Sequence, residues 1–299
     1  MWIKDDGAYS SYGGNKARKL ELLLADAKRR GKRTILSGGA LGTNHGLACA
    51  VFGRRLGFRV SLVLVPQPRT AQVERQLERL RDSGAELHFA GGKARAFCLA
   101  ATLVVRRARP PLRLPYLLPP GGSVPLGCAG YVEAALELAQ QIEAGELPEP
   151  THVVVALGSG GTAAGLLLGL KLARLRSRLV CVLVNDLIRL DEQTVTRLAR
   201  RTQRLLIRRG AALSPVEISP ADVDLQRGWL GEGYGHATAE GERASALLRE
   251  REGIALEPVY TAKAVAALLA LNRCGAFGNG PVLYWHTHTS LDQADENLG

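Results

Sequence analysis

The chain has 299 residues, long enough for a large core in one large or two medium domains, and carries 39 lysines and arginines against 28 aspartates and glutamates, a formal net charge of +11. The excess is mostly arginine scattered along helical stretches, densest at 106–113 and 197–209 with few interleaved aromatics, so it reads as a solvated face and not as a nucleic-acid site. Cys49, Cys98, Cys128, Cys181 and Cys274 are odd in number, widely spaced and without a C-x-x-C pair; there is no apolar run of membrane-span length and no signal peptide. These features argue against a disulfide framework, structural zinc or a membrane span, and predict a cytoplasmic protein.

In chain order, the first helix starts behind Gly13 and Gly14 and ends near Gly31. The apolar face of that helix is Leu20, Leu22, Leu23, Leu24 and Ala27. Lys16 stands at its start. A lysine there is ordinarily a solvated surface group; partly desolvated beside Arg18 and Lys19, its amine would have a lowered pKa and attack a carbonyl. A short strand at 34–37 leads through a glycine loop, 38–42, to Thr43, Asn44 and His45 and a helix over 48–56. Either Thr43 or Asn44 can cap that helix, and the loop can also turn N–H groups toward a ligand.

The apolar run 60–65 has the valine-rich character of a parallel strand covered on both faces. Helices at 71–83 and 93–107 flank a strand at 87–89, and Arg109-Pro110-Pro111 ends the second helix. His88 reads as structural or surface. A proline- and glycine-containing run at 116–123 precedes a helix over about 127–144.

The strand at 151–157 runs into Gly158, Ser159, Gly160, Gly161 and Thr162 and then a leucine-rich helix reaching 175. Glycines, successive amides, a helix dipole and two hydroxyls make a phosphate cradle. The same letters fit a dinucleotide fingerprint, with Asp186 after the 179–184 strand near a ribose position. That alternative leaves Lys16 and the later aromatic blocks without a role. An arginine-rich amphipathic helix at 191–209, a Pro- and Asp-containing segment, the run 228–235 around Tyr234, a helix at 239–252, the block 256–263 around Tyr260, and a last strand at 282–285 complete the chain. Alternating strands and helices indicate a parallel-sheet α/β protein.

Gly-Gly-Asn-Lys-x-Arg-Lys-Leu-Glu at 13–21, Thr-Asn-His at 43–45, Gly-Tyr-Gly at 233–235, Glu-Pro-Val-Tyr-Thr-x-Lys at 257–263 and His-Thr at 286–287 recur in order. Together they resemble the 1-aminocyclopropane-1-carboxylate deaminase and D-cysteine desulfhydrase family of pyridoxal phosphate enzymes. The resemblance implies a tryptophan synthase beta-like fold: a large domain of residues 1–23 plus 130–299 and a small mobile domain of 24–129, with the active site between them. It implies Lys16 as the lysine that holds the cofactor aldehyde and then removes the α-proton of a small amino acid. Asn44 would meet the phenolic oxygen, Thr43 the substrate, Gly158 to Thr162 the phosphate, Tyr260 and Tyr234 the ring and substrate, and Thr287 the pyridine nitrogen.

The chain departs from the family pattern at several places. Residues 1–6 resemble the family's strand ending Lys-Arg-Asp-Asp, without its arginine, and the family pattern has a further segment before that strand. Gly42 stands where the family has glutamine, and His288 and Thr289 replace two glycines. Ring-opening deaminases resemble one another in carrying glutamate directly after the second tyrosine, where this chain has Thr261, as desulfhydrase-like members do. The expected reaction is therefore α,β-elimination from D-cysteine or a similar substrate, giving pyruvate, ammonia and sulfide. The alternatives are a specialised or inactive relative, including a β-replacement enzyme, then a ring-opening deaminase or a dinucleotide-dependent oxidoreductase. The family resemblance also implies a homodimer; the cysteine spacing, charge distribution and hydropathy predict no metal, nucleic acid or membrane partner.

Overall fold

Along residues 152–157, Val153, Val155 and Leu157 pack into one apolar cluster and Val154 into another. That alternation belongs to a strand buried on both faces. The computed structural model describes residues 1–10, 12–107 and 114–288. Its chain divides into two compact units, Met1–Lys19 with the described part of Ser123–Gly299, and Leu20–Gly122. Both divisions fall earlier than the boundaries expected after residues 23 and 129, the first of them inside helix α1 (Gly14–Arg29).

The larger unit is built on a parallel sheet of five strands: β1 (Trp2–Asp5), β6 (His152–Leu157), β7 (Arg178–Leu183), β8 (Val223–Gln226) and β9 (Val282–His286). Their spatial order is β1-β9-β6-β7-β8. On one face lie α5 (Pro125–Glu143), α6 (Gly161–Leu172) and α7 (Glu192–Arg208), whose Tyr131, Leu138, Leu167 and Val195 join Val153, Cys181 and Trp285. On the other lie α8 (Ala239–Glu252) and α9 (Thr261–Arg273), whose Leu248, Val265 and Leu268 join Val154, Val180 and Tyr284. Each such side chain taken fully from water contributes about 1.5–3 kcal/mol. The α5–α6 contact is unusually close, because a Cβ on Gly165 would lie 2.3 Å from Cys128 O and one on Gly169 would lie 2.5 Å from Ala135 Cβ.

The smaller unit carries a second parallel sheet, from β2 (Thr34–Ala40), β3 (Arg59–Val65), β4 (Glu86–Phe89) and β5 (Tyr116–Leu117), in the order β4-β3-β2-β5. Helices α2 (Asn44–Arg55), α3 (Ala71–Asp82) and α4 (Lys93–Arg107) complete it. Leu36 and Val63 pack with Leu103 of α4. Val60 and Leu62 point the other way, close to Gly53 and Gly46 of α2.

Several elements differ from the sequence reading. The pair Gly38-Gly39 belongs to β2 and not to a loop: a Cβ on Gly38 would lie 2.7 Å from Val63 O and one on Gly39 2.4 Å from Thr43 Oγ1, so the strand needs glycine there. Helix α2 starts at Asn44, four residues before the expected position 48, because Thr43 caps it (48 − 44 = 4). Strand β8 and helix α9 were not anticipated; β8 is a four-residue edge strand, and α9 is alanine-rich and buried nearly all round, so neither shows a strong period. The Arg109-Pro110-Pro111 break lies outside the described residues.

Candidate active site

The glycine turn read from the sequence as a phosphate cradle lies where β6 ends. Gly160, at φ +85°, is the N-cap of α6 and provides no side-chain cap, so the first amides of a buried twelve-residue helix are left to other partners. Ser123 Oγ accepts from Gly161 N at 3.0 Å and lies 2.7 Å from Ser159 Oγ. Asn185 Nδ2 donates to Gly158 O at 2.7 Å and steadies the strand side of the loop. Side chains would not fit here. A Cβ on Gly158 would be 2.7 Å from Tyr260 Cε1, and one on Gly161 2.6 Å from Ser123 Oγ and 3.0 Å from Lys19 Nζ.

Lys16 lies in the first turn of α1, entered through Gly13 (φ +72°) and Gly14 (φ +73°). A Cβ on Gly13 would stand 2.4 Å from Gly7 O, so this turn needs a glycine both for its dihedrals and for its contact. Asn15 is the residue that sequence reasoning passed over. Its Oδ1 accepts from Lys16 Nζ at 2.5 Å, its Nδ2 donates to Thr162 Oγ1 at 3.2 Å, and its backbone N–H donates to Thr287 O at 3.2 Å. It thus joins the lysine, the cradle and the end of β9. The available signal was its place between the glycine pair and the lysine.

Arg18 and Lys19 do not act as a pair beside Lys16. The Arg18 guanidinium is neutralised by Asp6 (2.8 Å) and Glu137 (3.0 Å) and lies 3.9 Å above the Tyr9 ring. Asp6, fully buried, also accepts from Trp285 Nε1 and Tyr131 Oη. Lys19 is 2 % exposed, and burial pulls its amine down to about 8, opposed by the more distant Cys128 and Asp6. Its Nζ stands beside Gly161, 3.0 Å from where a Cβ on that residue would lie.

Tyr234 and Tyr260 meet hydroxyl to hydroxyl at 2.7 Å, their rings edge-on with centroids 5.8 Å apart. Burial raises both phenols above the usual tyrosine value. Glu257 accepts from the backbone N–H groups of Val259 (3.1 Å) and Tyr260 (2.7 Å), fixing the turn into α9. Thr261 Oγ1 accepts from Glu257 N at 2.7 Å and donates to Glu257 O at 3.2 Å, so its hydroxyl closes this turn. Asp186, the acid of the dinucleotide alternative, instead accepts from Tyr234 N at 3.1 Å.

At the end of β9, His286 is buried, its Nδ1 lies 3.3 Å from Tyr284 Oη, and burial lowers its pKa, which favours the neutral ring at pH 7. The His288 ring lies edge-on to it at 6.2 Å. Thr289 lies outside the described residues.

Thr43 and Asn44 belong to the other unit. Thr43 Oγ1 accepts from Gly46 N at 3.1 Å as the cap of α2, and Asn44 Oδ1 accepts from Gln76 Nε2 at 3.0 Å. His45 and Cys49, one turn apart on α2, lie with Ser37 in a buried cluster, where His45 Nε2 is 3.2 Å from Ser37 Oγ and 3.5 Å from Cys49 Sγ. Among the described residues no group of histidines, cysteines and carboxylates is arranged to hold a metal ion, and no helix is long and apolar enough to cross a membrane.

The family model for the pyridoxal-phosphate dependent enzymes matches residues 1–288, and the chain belongs to that family. Its cofactor is pyridoxal phosphate. The chain is 33 % identical over 302 residues to a D-cysteine desulfhydrase of Klebsiella pneumoniae (strain 342), covering 95 % of this chain and 84 % of the relative. A D-cysteine desulfhydrase of Salmonella schwarzengrund (strain CVM19633) is 36 % identical over 297 residues, covering 96 % and 86 %. Among solved structures, an ACC deaminase homologue superposes with a TM-score of 0.83 at 31 % identity, covering 99 % of this chain and 88 % of that one. The fold is therefore the two-sheet α/β architecture of fold type II pyridoxal phosphate enzymes. The cradle fits the cofactor's phosphate by an observation of its own: it combines amides, hydroxyls and a buried ammonium in a turn that admits no Cβ at Gly158 or Gly161.

Proposed function

We propose that this enzyme eliminates the β-substituent of D-cysteine or a closely related amino acid and, with one water consumed in hydrolysing the elimination product, releases pyruvate, ammonia and sulfide. The observation that carries the reading is the Lys16–Asn15–Thr162 connection, which ties the reactive amine to the phosphate cradle. Similarity to D-cysteine desulfhydrases over almost the whole chain supports the substrate class. Pyridoxal phosphate, when bound, supplies an electron sink for the charge left at the substrate's α-carbon.

In this reading the Lys16 amine would hold the cofactor and, as a base, would take the substrate's α-proton. Asn15 Oδ1 orients that amine. The amides of Gly160 and Thr162, the hydroxyls of Ser159 and Thr162, and the Lys19 ammonium would hold the phosphate, beside the Gly161 amide that donates to Ser123 Oγ. Tyr260, set against Gly158, faces the ring, and Tyr234 places its hydroxyl on the substrate side. Thr287 is proposed to meet the pyridine nitrogen through its hydroxyl, since its main-chain carbonyl already accepts from Asn15. Asn44 and Thr43 are proposed to serve the phenolic oxygen and the substrate.

Ring opening of an aminocyclopropane substrate is the weaker reading. The hydroxyl at position 261 is engaged with the Glu257 main chain and provides no acid to the pyridine. A cytoplasmic homodimer is proposed as its working form; five free cysteines support the reducing compartment. The test is product release from D-cysteine, L-cysteine and aminocyclopropane carboxylate. Equal amounts of pyruvate and sulfide from D-cysteine, well ahead of the other two, are expected. A protein that binds pyridoxal phosphate yet leaves D-cysteine untouched would overturn the substrate assignment.

A further inference from the structure

Lys263, in the first turn of α9, is 0 % exposed, yet among the described residues it forms no ion pair. Its Nζ donates only to main-chain carbonyls, to Leu230 O at 2.7 Å and Gly233 O at 3.3 Å. A methionine would fill the same space without desolvating an ammonium, so packing alone gives no reason for a cation here. Glu257, a nearby carboxylate, directs its two oxygens to the Val259 and Tyr260 amides.

The carbonyls that Lys263 grips belong to the loop that carries Tyr234. On the other side, exposed Asp186 accepts from Tyr234 N at 3.1 Å. Gly233 between them holds φ +130°, and a Cβ there would stand 3.2 Å from the Asp186 carboxylate. One short loop is therefore held at its carbonyls by a buried cation and at its amide by an anion. Its tip delivers the Tyr234 hydroxyl to Tyr260 at 2.7 Å.

We propose that Lys263 and Asp186 are positioning residues that clamp the loop 230–235 through its main chain and so fix where the Tyr234 hydroxyl stands. The inference rests on the reading of Tyr234 and Tyr260 as active-site groups of the elimination. Neither clamp residue needs to touch substrate or cofactor. Their effect passes through the loop backbone, which makes Lys263 a determinant of turnover on the far side of the tyrosine pair.

The test uses the holoenzyme labelled with 3-fluorotyrosine, with the Tyr234 fluorine resonance identified by its loss in Tyr234→Phe. In Lys263→Met and Asp186→Ala that resonance should shift or broaden, and kcat for pyruvate release should fall about tenfold while KM changes less than about threefold. Added to Tyr234→Phe, Lys263→Met should lower kcat by less than about twofold more, because the group it positions is already gone. An unmoved resonance, losses that multiply in full, or a lowered melting temperature with kcat retained would overturn the clamp. If Lys263→Met does not fold, the exposed Asp186→Ala carries the test alone. If the wild type releases no pyruvate from D-cysteine, the elimination reading fails and the fluorine resonance alone decides the clamp.

Discussion

Two strand-to-helix junctions in this chain share the same wording, glycines followed by a threonine, and do different things. At β2–α2 Gly38 and Gly39 lie within the strand, Gly42 follows it in a turn, and Thr43 Oγ1 accepts from Gly46 N, so the helix caps itself. At β6–α6 the cap position is Gly160 in a left-handed conformation with no side-chain cap, and Ser123 and Lys19 approach from outside. A helix that satisfies its own first amides has little left for an anion; one that does not is ready to bind one. The difference turns on which residue holds the cap, not on glycine content.

The largest break in that contrast should come from Gly161→Ala. The new methyl would meet Ser123 Oγ at 2.6 Å and Lys19 Nζ at 3.0 Å. Strain of about 1–3 kcal/mol corresponds to a roughly ten- to hundredfold loss in pyridoxal phosphate affinity, measurable by equilibrium titration.

Next in size is a pH dependence. Lys19 titrates near 8 because of burial, so below that pH it is charged and above it neutral. A bound phosphate favours the charged form, so binding takes up a proton above pH 8. Affinity should fall with rising pH by up to about tenfold per unit until the bound-state pKa is passed. Pyridoxine 5′-phosphate, which lacks the aldehyde, isolates this effect from Lys16; a flat profile in wild type would remove Lys19 from the cradle.

The smallest effect is expected from Thr43→Ala, which removes the α2 cap. It should cost about 1 kcal/mol of stability, read by denaturant or thermal unfolding. Cofactor affinity should stay within about twofold. A large loss of affinity would mean that the two junctions are more alike than their caps suggest.

The same contrast explains what could be read from the sequence. Strand, glycine turn and helix at 151–172 stood out because valine runs and clustered glycines are local signals. The junction at 34–44 was misread for the same reason: nothing local says that Gly38 packs against Val63 O across the sheet. Lys19 reads as one more basic residue in a basic stretch, and only its burial beside Gly161 makes it part of the site. Asp186 has the spacing of a ribose acid, but the loop that it holds returns from residue 234. Sequence displays the residues of the first turn; it does not display partners that topology brings from elsewhere.

The central claim is that Lys16 and the β6–α6 cradle hold pyridoxal phosphate for elimination. It is tested most directly by the visible absorption of the purified protein titrated with the cofactor, in wild type and Lys16→Ala, followed by D-cysteine. The account predicts a lysine-linked band in wild type only, cofactor still taken up by Lys16→Ala, and a change of the wild-type band on D-cysteine as pyruvate appears. The same band in Lys16→Ala, or no band in wild type with excess cofactor, would contradict it.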